Sequence, residues 1–366
     1  MAMGNRPEVK TAPAPIVALD VSLLAGHFAT ALARVPFRHP FSGDSSPLSN
    51  LGLTVTREVI RAFMGYSSSL RIPEFRSLEL VLDDICKRIM PPIVRALDVE
   101  GHAAEFGGVP GILYVPRHQD PVGVVLYLHG GGYIGTSPRM YAFFTARVCQ
   151  ETGCAVFVAD YRLAPEFPYP AGAEDASAIY TELVRLGIPA ARIFLAGDSG
   201  GGGLANTVLL ERTDRINPVR PAGLVLFSPE VDLRLDEDSV TDNADRDILP
   251  WNIPTASYLH GFDATSSTVS PVNADLSGFP PTCVTWGGDE MFRDAIRRYV
   301  QRLCEAGVPT DAQEFEGMFH VFEILMPWAD DSREVSRHVH RFIHRVLADA
   351  PPLGNTDLRR VLGLQD

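Results

Sequence analysis

The 366-residue chain has five cysteines, Cys86, Cys149, Cys154, Cys283 and Cys304, and none belongs to a Cys-x-x-Cys pair. So odd and scattered a set excludes a disulfide scaffold. It reads as free thiols in a reducing compartment, with a single disulfide as the alternative. Positive charge is also scarce: 32 basic residues face 45 acidic ones, for a net charge of -13. Such a chain repels phosphate backbones and anionic membrane surfaces, so no nucleic-acid partner is expected. Internal repeats and low-complexity segments are absent from the sequence. The apolar stretch Pro15 to Val35 is broken by Asp20, His27 and Arg34. Those breaks argue against a secretory core or a stable membrane insertion and for an amphipathic helix. A cytoplasmic location is the expectation.

What is present is apolar residues, 46% of the chain, enough for a large core. Residues 1–100 read as a helical segment. Ala31 to Val35, Val55 to Met64 and Leu78 to Leu97 carry apolar residues at helical spacing, separated by Pro-rich joints. From Gly101 the pattern changes to short apolar runs alternating with amphipathic stretches. Gly111 to Val115, Gly123 to Leu128, Ala155 to Ala159, Ile193 to Ala196, Leu224 to Phe227 and Thr282 to Trp286 read as strands, with Gln313 to Phe315 a weaker candidate. Between the later ones lie helical stretches at 139–151, 172–185, 201–212, 291–306 and 332–347. This alternation predicts an α/β fold: a mostly parallel sheet with helices on both faces. The core is then 101–231 and 262–349. Residues 232–261 interrupt it as an insertion over the sheet's carboxyl edge, able to form a lid with the N-terminal helices, and 350–366 form a loosely packed tail.

Gly197-Asp198-Ser199-Gly200-Gly201 follows one strand and precedes a helix. A serine on so sharp a turn takes a strained backbone and needs tiny neighbours, and the turn lifts its Oγ above the sheet. The alternatives are a phosphate loop, which lacks its lysine here, or a plain turn. His129-Gly130-Gly131-Gly132 follows an earlier strand. Consecutive glycines let backbone N–H groups approach a developing oxyanion. Gly131 and Gly132, joined by the N–H of Gly200, are the candidate donors, and His129 reads as a structural residue of the loop.

A serine nucleophile needs a base. His320 lies between the last strand and the last helix, at the sheet edge where sites of this class form. His338, His340 and His344 read as surface groups of the last helix. The acid that orients the base should fall between serine and histidine. Asp289, after the strand Thr282 to Trp286, is the candidate, with Glu290 its nearest rival and Asp294 the next. A helix N-cap is the bland alternative for Asp289.

With these residues in view, the sequence resembles the hormone-sensitive-lipase-like (bacterial family IV) esterases of the α/β-hydrolase superfamily. The matching stretches are His129 to Gly132, Asp160 to Glu166, Gly197 to Gly201, Asn243 to Asp247, Asp289 to Asp294 and Gly317 to His320. The resemblance implies an eight-stranded, mostly parallel sheet with a helical cap. It also implies hydrolysis of short- to medium-chain acyl esters by water, without cofactor or metal. By the same analogy Asp160, Arg162 and Glu166 hold loops. Two departures stand out. Gly200 occupies a position where alanine is commoner. Glu230, in Ser228-Pro229-Glu230, stands where the family usually has an aromatic or aliphatic residue. It reads either as a pocket group favouring a cationic or hydrogen-bond-donating substrate, or as a solvated or salt-bridged carboxylate. Phe28, Phe63, Tyr66, Tyr133 and Trp251 are candidates to line an acyl pocket, with plain core packing as the alternative.

A carboxylesterase is therefore the leading expectation. Cleavage of an amide, lactone, carbamate or formamide by the same residues, or a non-catalytic small-ligand receptor on a hydrolase scaffold, are the alternatives. Homodimerisation through an edge strand is compatible with either.

Overall fold

A computed structural model describes residues 9–37, 47–213, 220–250, 252–351 and 358–364. The chain opens with long helices α1 (Ala14–Arg34), α2 (Pro47–Ser67) and α3 (Ile72–Ala96). The strands β1 (Val99–Phe106), β2 (Val109–Pro116) and β3 (Val124–Leu128) follow, then α4 (Ala142–Thr152), β4 (Ala155–Ala159), α5 (Ala171–Arg185), β5 (Ile193–Asp198), α6 (Ser199–Thr213) and β6 (Gly223–Phe227). Short helices α7 (Asp238–Asp242) and α8 (Thr255–Leu259) interrupt the alternation. It resumes with β7 (Thr282–Gly287), α9 (Arg293–Glu305) and β8 (Thr310–Phe315), and closes with α10 (Phe322–Leu325), α11 (Asp330–Ala348) and α12 (Leu358–Val361).

The sheet has eight strands in the order β1-β2-β4-β3-β5-β6-β7-β8. β2 is antiparallel to both neighbours, and from β4 to β8 all pairings are parallel. Each face of the sheet has its own core. Along β3, Val124, Leu126 and Leu128 pack on one side, and Val125 and Tyr127 on the other. Burial on both faces explains why the inner strands read as unbroken apolar runs.

β1 starts at the end of the stretch expected to be helical and runs on through residues 101–106, where no strand is expected. It is an edge strand whose middle residues are Gly, Ala and charged groups, and only Val99 and Phe106 are fully buried. Its pairing partner rather than its own pattern makes it a strand. The tail also differs from expectation: Leu358 and Leu362 are buried in the larger core.

In α1, Asp20 is turned inward and accepts a hydrogen bond from Tyr66 at 3.0 Å. Leu19, Val21, Leu23 and Leu32 are exposed. Residues Ala14–Phe37 are long and apolar enough to cross a membrane by length and composition, so the charges read from the sequence do not argue as strongly against a span as expected.

The first turns of α3 are tied to the core by Arg76. Its guanidinium donates to both oxygens of Glu166 (3.0 and 2.6 Å), to Glu79 (2.6 Å), and to the carbonyls of Ala164 (2.7 Å) and Ile134. Glu79 in turn accepts the N–H of Thr136 at 2.6 Å. Removing a buried cation from such a set leaves two carboxylates uncompensated. Arg76→Ala is expected to lower the unfolding free energy by about 3–5 kcal/mol, read from urea denaturation.

Candidate active site

Ser199 opens α6 immediately after β5, with φ of +50°. That left-handed conformation is costly for a residue with a Cβ and holds only where the surroundings enforce it. They do so through a close crossing. A Cβ on Gly201 would lie 2.0 Å from the carbonyl oxygen of Leu128, so only glycine lets α6 start this near the end of β3. Gly200 and Gly203 make similar room for Tyr133, whose ring lies against the first and whose hydroxyl lies over the second. Glycines weaken a helix by roughly 0.5–1 kcal/mol each. Here that cost yields proximity; at Gly200 an alanine Cβ would meet the Tyr133 ring at 3.2 Å, a tight contact that a small shift would relieve.

The glycine loop after β3 is fixed from below. Asp198 is fully buried and accepts hydrogen bonds from the Tyr127 and Tyr141 hydroxyls, each at 2.8 Å, and from the Gly130 N–H at 2.9 Å. Burial raises its pKa to about 6 against the pull of these three donors. His129 donates from Nδ1 to the Gly130 carbonyl at 2.9 Å and stacks on Tyr161, whose hydroxyl donates to the His129 carbonyl. Burial lowers its pKa to about 4, so it is neutral. These contacts match the structural part expected of His129. Gly131 and Gly132 both have positive φ. Among the described residues no acceptor takes the N–H of either. The N–H of Gly200, in the first turn of α6, has no intrahelical partner by geometry.

His320 sits beyond β8, 2% exposed. Its Nδ1 lies 3.4 Å from Oε2 of Glu290, and both side chains are buried. Asp289, the acid expected from the sequence, points away from His320. Its carboxylate is 3.6 Å from Arg57 and 3.8 Å from Arg246, nearer the surface. The correction follows from the turn after β7, where adjacent residues face opposite ways and the inward one is Glu290. Asp294 bonds Arg293 and the N–H of Ser239. No hydrogen bond of good geometry joins Nδ1 to Glu290, the loose spacing that ligand-free sites often show. Burial disfavours charge on both partners. It lowers the pKa of His320, opposed by Asp247 and Asp198, and raises that of Glu290 to about 8, opposed by the Ser228 hydroxyl.

Asp247 was not recognised as a site residue from the sequence. Fully buried, it accepts the N–H groups of His320 (2.9 Å) and Met291 (2.7 Å), and so holds the base loop to the acid loop. Its place in Asn243 to Asp247 was the available signal. Asn243 bonds the Glu290 carbonyl at 2.9 Å. From α2, Arg57 donates to the Gly317 carbonyl and Arg61 to that of Asp247, both at 2.9 Å.

Of the expected pocket residues, Tyr133 is buried and stacked on Tyr258 at 3.8 Å, and Glu230 is 1% exposed. Glu230 is thus not solvated, and among the described residues no cation pairs with it. Trp251 lies outside the described residues. Tyr66, Phe28 and Phe63 form a separate cluster with Leu24 and Leu78 on the N-terminal helices, which matches plain core packing. The acidic group Asp232, Asp236 and Glu237 is compensated by Arg234 and Arg298.

Residues 125–324 match the family described as alpha/beta hydrolase fold. An acetyl-hydrolase of Streptomyces hygroscopicus is 37% identical over 225 residues, 60% of this chain and 74% of the relative. The carboxylesterase NlhH of Mycobacterium tuberculosis is 31% identical over 262 residues, 66% of this chain and 82% of the relative. Among solved structures, a hormone-sensitive lipase from a metagenome library superposes with a TM-score of 0.71 at 31% identity, covering 80% of this chain and 98% of its own.

The geometry makes Glu290, not Asp289, the residue whose loss disturbs His320. Glu290→Gln is expected to lower kcat on p-nitrophenyl butyrate by about 10³–10⁴, the scale seen when a base loses its orienting acid. Asp289→Asn should stay within about threefold of wild type, as expected for a carboxylate outside the reacting set. The reverse order of effects would return the assignment to Asp289.

Proposed function

The chain belongs to the hormone-sensitive-lipase-like (bacterial family IV) esterases of the α/β-hydrolase superfamily, and from that membership we propose a serine carboxylesterase acting on short- to medium-chain acyl esters through Ser199. It hydrolyses ester bonds, as its relatives' names state of them. The observation that carries the assignment of the nucleophile is the left-handed Ser199 at the β5–α6 turn, beside the unpartnered N–H groups of the glycine loop.

In this reading Ser199 Oγ attacks the acyl carbon and His320 takes its proton. In its ionised form, which burial opposes, Glu290 holds the imidazole in the tautomer that leaves Nε2 free, and stabilises the imidazolium. The N–H groups of Gly131, Gly132 and Gly200 receive the oxyanion. His320 then protonates the departing alcohol, and water releases the acyl group by the same route. No step needs a metal or cofactor. The free state of Cys86, Cys149, Cys154, Cys283 and Cys304 supports a cytoplasmic location. A homodimer formed through an edge strand, β1 or β8, belongs to the same proposal.

Ser199→Ala is expected to abolish turnover of p-nitrophenyl butyrate with an unchanged circular dichroism spectrum, and to abolish labelling by a fluorophosphonate. Near-wild-type turnover in that variant would exclude Ser199, and a wild type that resists the label would favour the receptor alternative. His320 must be neutral to accept a proton, so activity falls as the pH drops through its pKa. Burial pushes that pKa below the ordinary histidine value, and the acid limb of kcat/KM is expected there. A limb near pH 8 would instead assign the titration to Glu290.

A further inference from the structure

Glu230 is a buried acid for which the reaction above has no use. It follows β6, and its backbone N–H donates to the Ser199 carbonyl at 2.9 Å, so it is held directly against the nucleophile's own peptide. Its side chain is 1% exposed, and Oε1 has no partner among the described residues. The groups that sense it are aromatic, Tyr133 and Tyr258. Among the described residues no cation compensates it, and burial raises its pKa to about 8. At neutral pH the carboxyl is therefore protonated, able both to donate and to accept a hydrogen bond.

An orphaned polar group of this kind is costly to keep. An apolar residue would fill the position more cheaply, so the carboxyl calls for a partner that arrives from outside. The surroundings narrow what that partner is. Tyr133 is covered on one face by Tyr258 at 3.8 Å and on the other lies against Gly200. A ring occupied on both faces offers none to a cation, and an ammonium group would also have to ionise the acid in a dry site. A hydroxyl meets neither difficulty. It can accept from the protonated oxygen and donate to the other.

Resting on the carboxylesterase reading, we propose that Glu230 is a specificity-determining residue that selects esters bearing a hydroxyl close to the reacting carbonyl, the carboxyl and the hydroxyl exchanging hydrogen bonds beside Ser199. This replaces the cationic preference that an ionised carboxylate would give.

The test compares kcat/KM at pH 7 for p-nitrophenyl butyrate, p-nitrophenyl 3-hydroxybutyrate and p-nitrophenyl 4-(trimethylammonio)butyrate, in wild type, Glu230→Gln and Glu230→Leu. The wild type should favour the hydroxy ester over the plain one by about tenfold, the worth of one well-made hydrogen bond. Glu230→Leu should bring that ratio to about one. Glu230→Gln, which still donates and accepts, should keep most of it. Thermal melting of each variant checks folding, and Glu230→Met serves if the leucine variant does not fold. A wild-type ratio near one, an unchanged ratio in the apolar variant, or a preference for the trimethylammonio ester that disappears in the apolar variant would each overturn the proposal. In all three cases plain butyrate is still hydrolysed. Absence of turnover of every ester together with absence of fluorophosphonate labelling overturns the carboxylesterase reading itself, and this proposal with it.

Discussion

The contact on which the rest of the site depends is the buried Asp198 carboxylate. It stands next to Ser199 in sequence but reaches sideways to the loop after β3, where it takes the Gly130 N–H and the Tyr127 and Tyr141 hydroxyls. A strained serine and a glycine loop are each of little use alone. Attack and oxyanion capture must occur within a few tenths of an ångström of one another. Three hydrogen bonds to one desolvated carboxylate fix that spacing, and burial makes each of them stiff. The same burial raises the acid's pKa to about 6, so the clamp is ionised, and at full strength, only above that value.

A second layer of ties joins the N-terminal helices to these loops. Arg76 of α3 grips the glycine-loop side through the carbonyls of Ile134 and Ala164 and through Glu166. Arg57 and Arg61 of α2 grip the histidine side through the carbonyls of Gly317 and Asp247. The helices therefore set the positions of two of the site's loops. Apart from Glu166, held by its carboxylate, each tie is an arginine to a backbone carbonyl, a bond indifferent to the side chain of the residue it holds.

How much of this could be read in advance follows from the kind of rule involved. The Ser199 turn and the glycine loop were legible because backbone sterics dictate residue type there: only glycine permits the Gly201 crossing against Leu128. The inner strands were legible because burial on both faces leaves an unbroken apolar run. Glu290 was not. It and Asp289 are adjacent carboxylates, either able to serve, and only the direction of one turn after β7 separates them. Arg57 and Arg246, distant in sequence, attract the outward one. β1 escaped for a related reason, since an edge strand of Gly, Ala and charged residues is defined by its pairing with β2. Asp198 and Asp247 were visible as letters within matched stretches, but their work is to bind backbone N–H groups, which no residue spacing announces.

The insertion between β6 and β7 divides into two parts held by very different forces. Its first part is locked to the reacting residues: Asp247 binds the N–H groups of His320 and Met291, and Asn243 binds the Glu290 carbonyl. Moving it would dismantle the base and its acid. Its second part covers the oxyanion loop with Pro254 over Gly132 and with Tyr258 stacked on Tyr133, assisted by one backbone bond from Tyr169 to Tyr258. An aromatic stack is worth about 0.5–1.5 kcal/mol beyond the area it buries, and Tyr258 is 3% exposed within the larger core. Ser199 is 7% and His320 2% exposed in this arrangement. The Tyr258 side, part of the larger core, also borders Glu230. The groups that perform the chemistry are thus held by buried charge, and the wall beside Glu230 by aromatic packing.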